Sequence, residues 1–157
     1  MTDHQAVGFE ADEIQTGAST RSARLKWVIV VETGLPTGRI VNAAACVAAA
    51  TAQAVPGLLG PGGVDGAASA HAGLPWAGCS ILGGDAATLQ RVRASAEAHP
   101  EVYVADMPLA AQETRVYDDY LAQLAGSAPD QIAYAAVSLV GPRKRVDRIV
   151  GGLKLLP

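Results

Sequence analysis

Aromatic residues make up only 4% of this 157-residue chain, and there is a single Phe. A core without many large rings must be filled by Ala, Val, Leu and Ile, so its elements have to sit close together. Cysteine is scarce too: Cys46 and Cys79 stand apart, with no CxxC pair and no His beside either. That spacing argues against a structural zinc site, and both are read as reduced, buried small hydrophobes. Charge of one sign is not in large excess. A formal net charge of −3 argues against a protein that coats nucleic acid, while leaving room for a local basic patch. No run approaches the roughly 18 apolar residues of a membrane span. Residues 1–23 lack the apolar centre of a secretory signal, so a cytoplasmic protein without membrane contact is expected. There is no P-loop, GxGxxG, HExxH or Gly-x-Ser-x-Gly. The nucleotide, zinc-protease and serine-hydrolase readings fall with them, and neither a metal nor a cofactor is expected.

What is present is a regular alternation of short apolar runs and helical patterns. Lys26-Trp27-Val28-Ile29-Val30-Val31 is apolar and β-branched with no alternation, as in a strand buried on both faces. Glu32 to Arg39 turns the chain, and Ile40 to Ala54 reads as a helix of small residues able to lie close on a sheet. Ala77–Leu82 is a second strand, broken by Gly83-Gly84. Asp85 caps a helix through about Ala98, with Leu89, Val92 and Ala96 on one face. Val102–Ala105 is a third strand ending in Asp106, after which Met107-Pro108 turns away. Gln112 to about Leu124 reads as a helix, and Ala133–Val140 as a fourth strand. Gly141-Pro142 turns into a last helix, with Pro142 at its first position and Val146, Ile149, Val150 and Leu153 as its buried stripe. This alternation predicts an α/β fold, a three-layer α/β/α domain over residues 23–157. Residues 1–22 are polar and aperiodic and read as a flexible arm. Val55 to Pro75 is rich in Gly and Pro, too long for an idle connection, and carries His71 near its end.

Two segments at opposite ends carry a resemblance. Lys26–Val31 continues through Leu35, Gly38, Arg39 and Ala43-Ala44. Gly141-Pro142 is followed by Val146-Asp147-Arg148-Ile149-Val150-Gly151-Gly152-Leu153-Lys154-Leu155. Together, and in order, they resemble the archaeal and eukaryotic type II peptidyl-tRNA hydrolases over about Lys26–Pro157. The resemblance implies a four-stranded mixed sheet of the peptidyl-tRNA hydrolase II type. The chain looks closer still to a bacterial offshoot, the domain of unknown function 2000 family, which it also resembles through Asp65-Gly66 and His71-Ala72-Gly73.

Peptidyl-tRNA hydrolysis is ester cleavage, which needs an activated water, an oxyanion stabiliser and cations for the phosphates. The resemblance makes Lys26 and Asp106 the catalytic candidates and leaves Arg39 as a cation near a family lysine. It also puts Ala45 and Ala48 where the family carries glutamine and histidine, and Met107-Pro108 where Gly and Thr would follow the aspartate. Losing those polar groups costs orders of magnitude in rate. The expected protein is therefore a hydrolase-like fold without the full catalytic set, binding a small molecule or a protein partner. Arg39, Asn42 and His71 are its candidate ligand-binding residues, in a site between the Glu32–Arg39 loop, the Val55–Pro75 loop and Asp106. A divergent hydrolase of peptidyl-tRNA or a related acyl ester is the alternative; tRNA is the less favoured partner. Arg143, Arg145 and Arg148, with Lys144, read either as a solvated face or as an anion-binding patch. The small-residue surfaces admit a homodimer.

Overall fold

A computed structural model of the chain describes residues 6–157. The strands are β1 (Leu25–Glu32), β2 (Gly63–Val64), β3 (Ala70–His71), β4 (Ser80–Gly84), β5 (Tyr103–Pro108) and β6 (Tyr134–Pro142). The helices are α1 (Thr37–Ala54), α2 (Ala86–Glu97), α3 (Leu109–Glu113), α4 (Tyr117–Ala125) and α5 (Arg143–Ile149). Four strands form one mixed sheet in the order β4-β1-β6-β5. β1 runs parallel to β4 and antiparallel to β6, and β6 runs antiparallel to β5. The two chain ends therefore meet in the middle of the sheet, with Trp27 opposite Val140 and Val30 opposite Val137.

The absence of alternation in β1 has a direct cause: both of its faces are covered. Trp27, Ile29 and Val31 pack with Ala43 and Val47 of α1. Val28 and Val30 pack with Leu89 and Val92 of α2 and with Val146 and Ile149 of α5. Small side chains on α1 bring its backbone near the sheet, as an aromatic-poor core requires.

Two polar residues lie fully buried among these apolar ones, Thr51 of α1 and Ser138 of β6. The Trp27 indole N–H donates to Ser138 Oγ at 2.8 Å, the Ser138 and Thr51 hydroxyls are 2.7 Å apart, and Thr51 Oγ1 reaches the Val47 carbonyl at 2.7 Å. Only one direction satisfies all the donors. Trp27 donates to Ser138, Ser138 to Thr51, and Thr51 to the carbonyl. The chain ties β1, β6 and α1 at one point.

Residues 1–5 of the expected arm lie outside the described residues. From Val7 onward, the stretch read as an arm instead packs on the domain. Phe9 is buried, its ring 4.8 Å from that of Trp76, and its N–H donates to the Pro56 carbonyl. Gly57 makes this contact feasible: its φ is +74°, and a Cβ there would lie 2.7 Å from the Phe9 carbonyl oxygen. Arg24 fastens the segment through Glu13 and the Gly8 carbonyl. That pairing, with Glu10's backbone N–H, pulls the Glu13 carboxyl down to about 2.

Other boundaries moved. β4 begins at Ser80 and includes Gly83 and Gly84, because β1 pairs with both glycines and the C-terminal tail adds bonds on the other side: Gly83 N–H donates to the Lys154 carbonyl, and Leu156 N–H to that of Ile81. This tail covers the β4 edge of the sheet. β5 does not end at Asp106. Met107 pairs with Ala136 and Pro108 with Tyr134 across a register shift, and proline is tolerated at such an irregularity of an edge strand. The expected helix from Gln112 is two helices, split where Thr114 and Val116 adopt extended backbone and the Thr114 hydroxyl returns to the Ala110 carbonyl. Gly141 and Pro142 stay in β6, opposite Lys26 and Leu25, so Pro142 is the residue before α5 and not its first turn. The Val55–Pro75 loop is anchored by buried Leu58 and rises into the β2–β3 hairpin. Gly60 and Gly73 cross so closely at its base that a Cβ on Gly73 would lie 1.9 Å from the Gly60 carbonyl oxygen.

Ser138→Ala leaves the Trp27 indole N–H buried without an acceptor, which costs about 1–3 kcal/mol. Thermal unfolding should show a melting temperature lower by about 3–10 °C with the fold retained; an unchanged midpoint would remove the chain's stabilising role.

Candidate functional site

β5 is the edge of the sheet left without a covering strand, and all but its last residue are half-buried. Beside it lies a cleft of about 530 Å³. One wall is the outer flank of α1, where Cys46, Ala49 and Ala50 present only small side chains. The floor is β5 at Asp106 and Met107, and the far wall is the α3–α4 corner with Thr114, Arg115, Tyr117 and Tyr120. The two tyrosine rings sit edge to face, 5.6 Å apart at 70°.

The α3–α4 wall is held to α1 mainly by one amide. Gln112 accepts from Arg39 Nε at 2.9 Å and donates to the Arg39 carbonyl at 2.8 Å and to Asn42 Oδ1 at 3.2 Å. Arg39 and Asn42, expected as ligand residues, thus come together through Gln112 and shape the cleft from behind. They do not line it.

Asp106 does line it, but its carboxylate is engaged by Arg93 of α2 at 3.1 Å, and Arg93 also pairs with Glu97. The same guanidinium lies 5.9 Å from the centroid of the Tyr134 ring. The oxygen that Arg93 holds is not free to take up a water. Burial, and second to it the Asp106 charge, holds the Tyr120 hydroxyl above the ordinary phenol range. Tyr120 is therefore a neutral hydrogen-bond donor at physiological pH. Ala45 is exposed and Ala48 packs on the core, so neither adds a polar group.

The remaining candidates lie elsewhere. His71 sits on the hairpin, two-thirds exposed, with Asp65 at 3.4 Å. The Glu32–Arg39 loop, the hairpin and Asp106 thus do not converge. Lys26 pairs with Asp147, not with Asp106. β1 and β5 run the same way, and Asp106 is level with Val30 through Val137. Lys26 is four residues short of that level, about 13 Å along the strands. Arg143 donates to the Thr20 and Ala23 carbonyls, Arg145 pairs with Glu101 at 2.9 Å, and Arg148 is exposed. Two of the three are thus already engaged within the chain. Cys46 and Cys79 are free, as expected of reduced thiols, but both are exposed.

Tyr117, Arg115 and Met107 were not singled out by sequence. A faint signal existed: in a chain with four tyrosines, two stand three apart on one helix. Among the described residues, no three His, Cys, Asp or Glu side chains gather as metal ligands, and no helix is long and apolar enough to cross a membrane.

Comparisons with known proteins extend the fold and leave the activity open. No curated protein matches the chain. Its structure is similar to that of a protein of unknown function from Agrobacterium tumefaciens strain C58, with a TM-score of 0.76 and 19% identity over 85% of this chain and 98% of that one. At that identity the likeness shows the fold alone. Residues 25–157 match the model of the family described as protein of unknown function (DUF2000), and the chain belongs to that family.

Proposed function

We propose that this is a cytoplasmic binding protein with a three-layer, peptidyl-tRNA hydrolase II-like architecture, and that its cleft takes a small apolar acid. The observation that carries the reading is the composition of the 530 Å³ cleft. Methyl, thioether and ring surfaces line most of it, and the exposed Arg115 belongs to the lining with no acidic partner among the described residues. A volume of this size suits a small molecule or the last residues of a peptide. Arg115 supplies a cation for a carboxylate, and the Tyr120 hydroxyl supplies a neutral donor.

Hydrolysis is the weaker reading on the same geometry. Asp106 is the one carboxylate among the cleft residues and is already paired, and neither His71 nor His99 lines the cleft. Release of peptide from labelled peptidyl-tRNA by high concentrations of pure protein would overturn the binding-only reading.

For the cleft itself, small aliphatic and aromatic carboxylic acids are screened by thermal shift. Wild type should be stabilised by at least one. Ala49→Trp, which fills the cleft from an exposed helix position, should abolish the shift, and Arg115→Ala should reduce it about tenfold in affinity. An equal response from Ala49→Trp would place the ligand elsewhere.

A second observation supports a homodimer. The chain exposes 9381 Å². A compact monomer of 16.0 kDa would expose about 7,400 Å², and residues 1–5 can add at most about 900 Å². About 1,100 Å² of excess remains, more than the roughly 800 Å² that each partner contributes to a standard interface. The hairpin region is the place for it: Leu59, Val64 and Leu74 are at least half exposed there, around a single carboxylate, Asp65. Light scattering should give twice the 16.0 kDa of one chain. Val64→Asp with Leu74→Asp should halve that mass, and a wild-type mass of one chain at high concentration would refute the dimer.

A further inference from the structure

We propose a second binding site, for a phosphate-bearing small molecule, in the cavity beneath the N-terminal ends of β1 and β4. It lies away from the cleft beside β5 and does not depend on the reading of that cleft. The cavity measures about 540 Å³, and Arg21, Lys26 and Arg143 all line it. No acidic side chain does.

Three cations around one cavity, in a chain whose net charge is −3, are a local reversal of sign. Like charges brought together without counter-charge repel, and a bound anion relieves that repulsion. One counter-charge is present: Asp147, which holds Lys26 from outside the lining. Arg21 has no ion pair among the described residues. Arg143 is spent on two backbone carbonyls at 3.2 and 3.3 Å and meets no carboxylate, and its Nε is buried without a partner. Its full charge is therefore left unneutralised.

The rest of the lining fits a polar anion. Ser80 stands at the start of β4 with a hydroxyl for a hydrogen bond. Cys79 shares the wall, and an ordinary thiol is neutral at physiological pH, so it adds no negative charge. Two arginines and a lysine match a dianionic phosphate better than a single carboxylate: Arg21 can offer paired guanidinium donors, while Lys26 and the largely committed Arg143 supply positive charge. The volume exceeds that of a bare phosphate and suits a phosphorylated metabolite. Trp27 forms part of the wall and provides a reporter.

Titration calorimetry and Trp27 fluorescence, in a Trp76→Phe background, test the site with inorganic phosphate, pyrophosphate, citrate and adenosine monophosphate. Phosphate-bearing probes should bind and quench Trp27, with affinity falling steeply as salt rises. Arg21→Gln and Lys26→Met should each weaken binding about tenfold. Both change exposed or half-exposed side chains, and circular dichroism verifies their folding. Asp147→Asn should tighten binding several-fold, because it frees Lys26. Absence of phosphate binding at about 10 mM, citrate bound as tightly as pyrophosphate, affinity unchanged in Arg21→Gln and Lys26→Met, or weaker binding by Asp147→Asn would each overturn the proposal.

Discussion

The hydrogen-bonded chain from the Trp27 indole through Ser138 and Thr51 to the Val47 carbonyl is the point on which this structure turns. Burial alone would let a helix of alanines slide or rotate on a sheet of valines, since one methyl packs much like the next. A buried donor that loses its acceptor pays a definite penalty. The chain converts a loosely specified contact into a fixed register between α1, β1 and β6. It also offers the rare large ring of the core a partner for its one polar atom.

Fixing α1 determines what the helix shows to the outside. With Ala43, Val47 and Thr51 facing the sheet, Cys46, Ala49 and Ala50 must face the open edge at β5. Their shortness leaves space that larger side chains would fill. Gln112 then sets the distance of the far wall by bonding to the first turns of the same helix. The cleft thus follows from one helix being held at two places. The cationic cavity has a separate origin, in Arg143, which is occupied in fastening residues Thr20 and Ala23 to the start of α5.

Much of this architecture was legible in the residues. The unalternating run at Lys26–Val31 implied two covered faces, and Asp85 marked the start of α2, where it accepts from the Thr88 N–H. The resemblance at both ends correctly anticipated membership in the unknown-function family. What escaped was set by tertiary partners. Gly83-Gly84 looked like a break because the sequence does not show that β1 on one side and the C-terminal tail on the other will bond there. Phe9 was lost in a polar stretch because a single aromatic has no period to detect. Ser138 passed as one polar residue in an apolar strand, though a lone hydroxyl in such a place implies a buried partner. The site residues were least legible. Asp106, Lys26, Arg39 and His71 are plausible by type, but their separation depends on strand direction and on a hairpin that carries His71 away.

Hydrogen exchange at the Trp27 indole, followed by NMR, tests the fixing of α1 most directly. The indole proton should exchange only through global unfolding, as slowly as the amides of β1 and β6, and Thr51→Val should leave it slow while speeding the amides of α1. Rapid exchange of that proton in the wild-type protein would mean that no buried acceptor holds it, and that the helix is placed by packing alone.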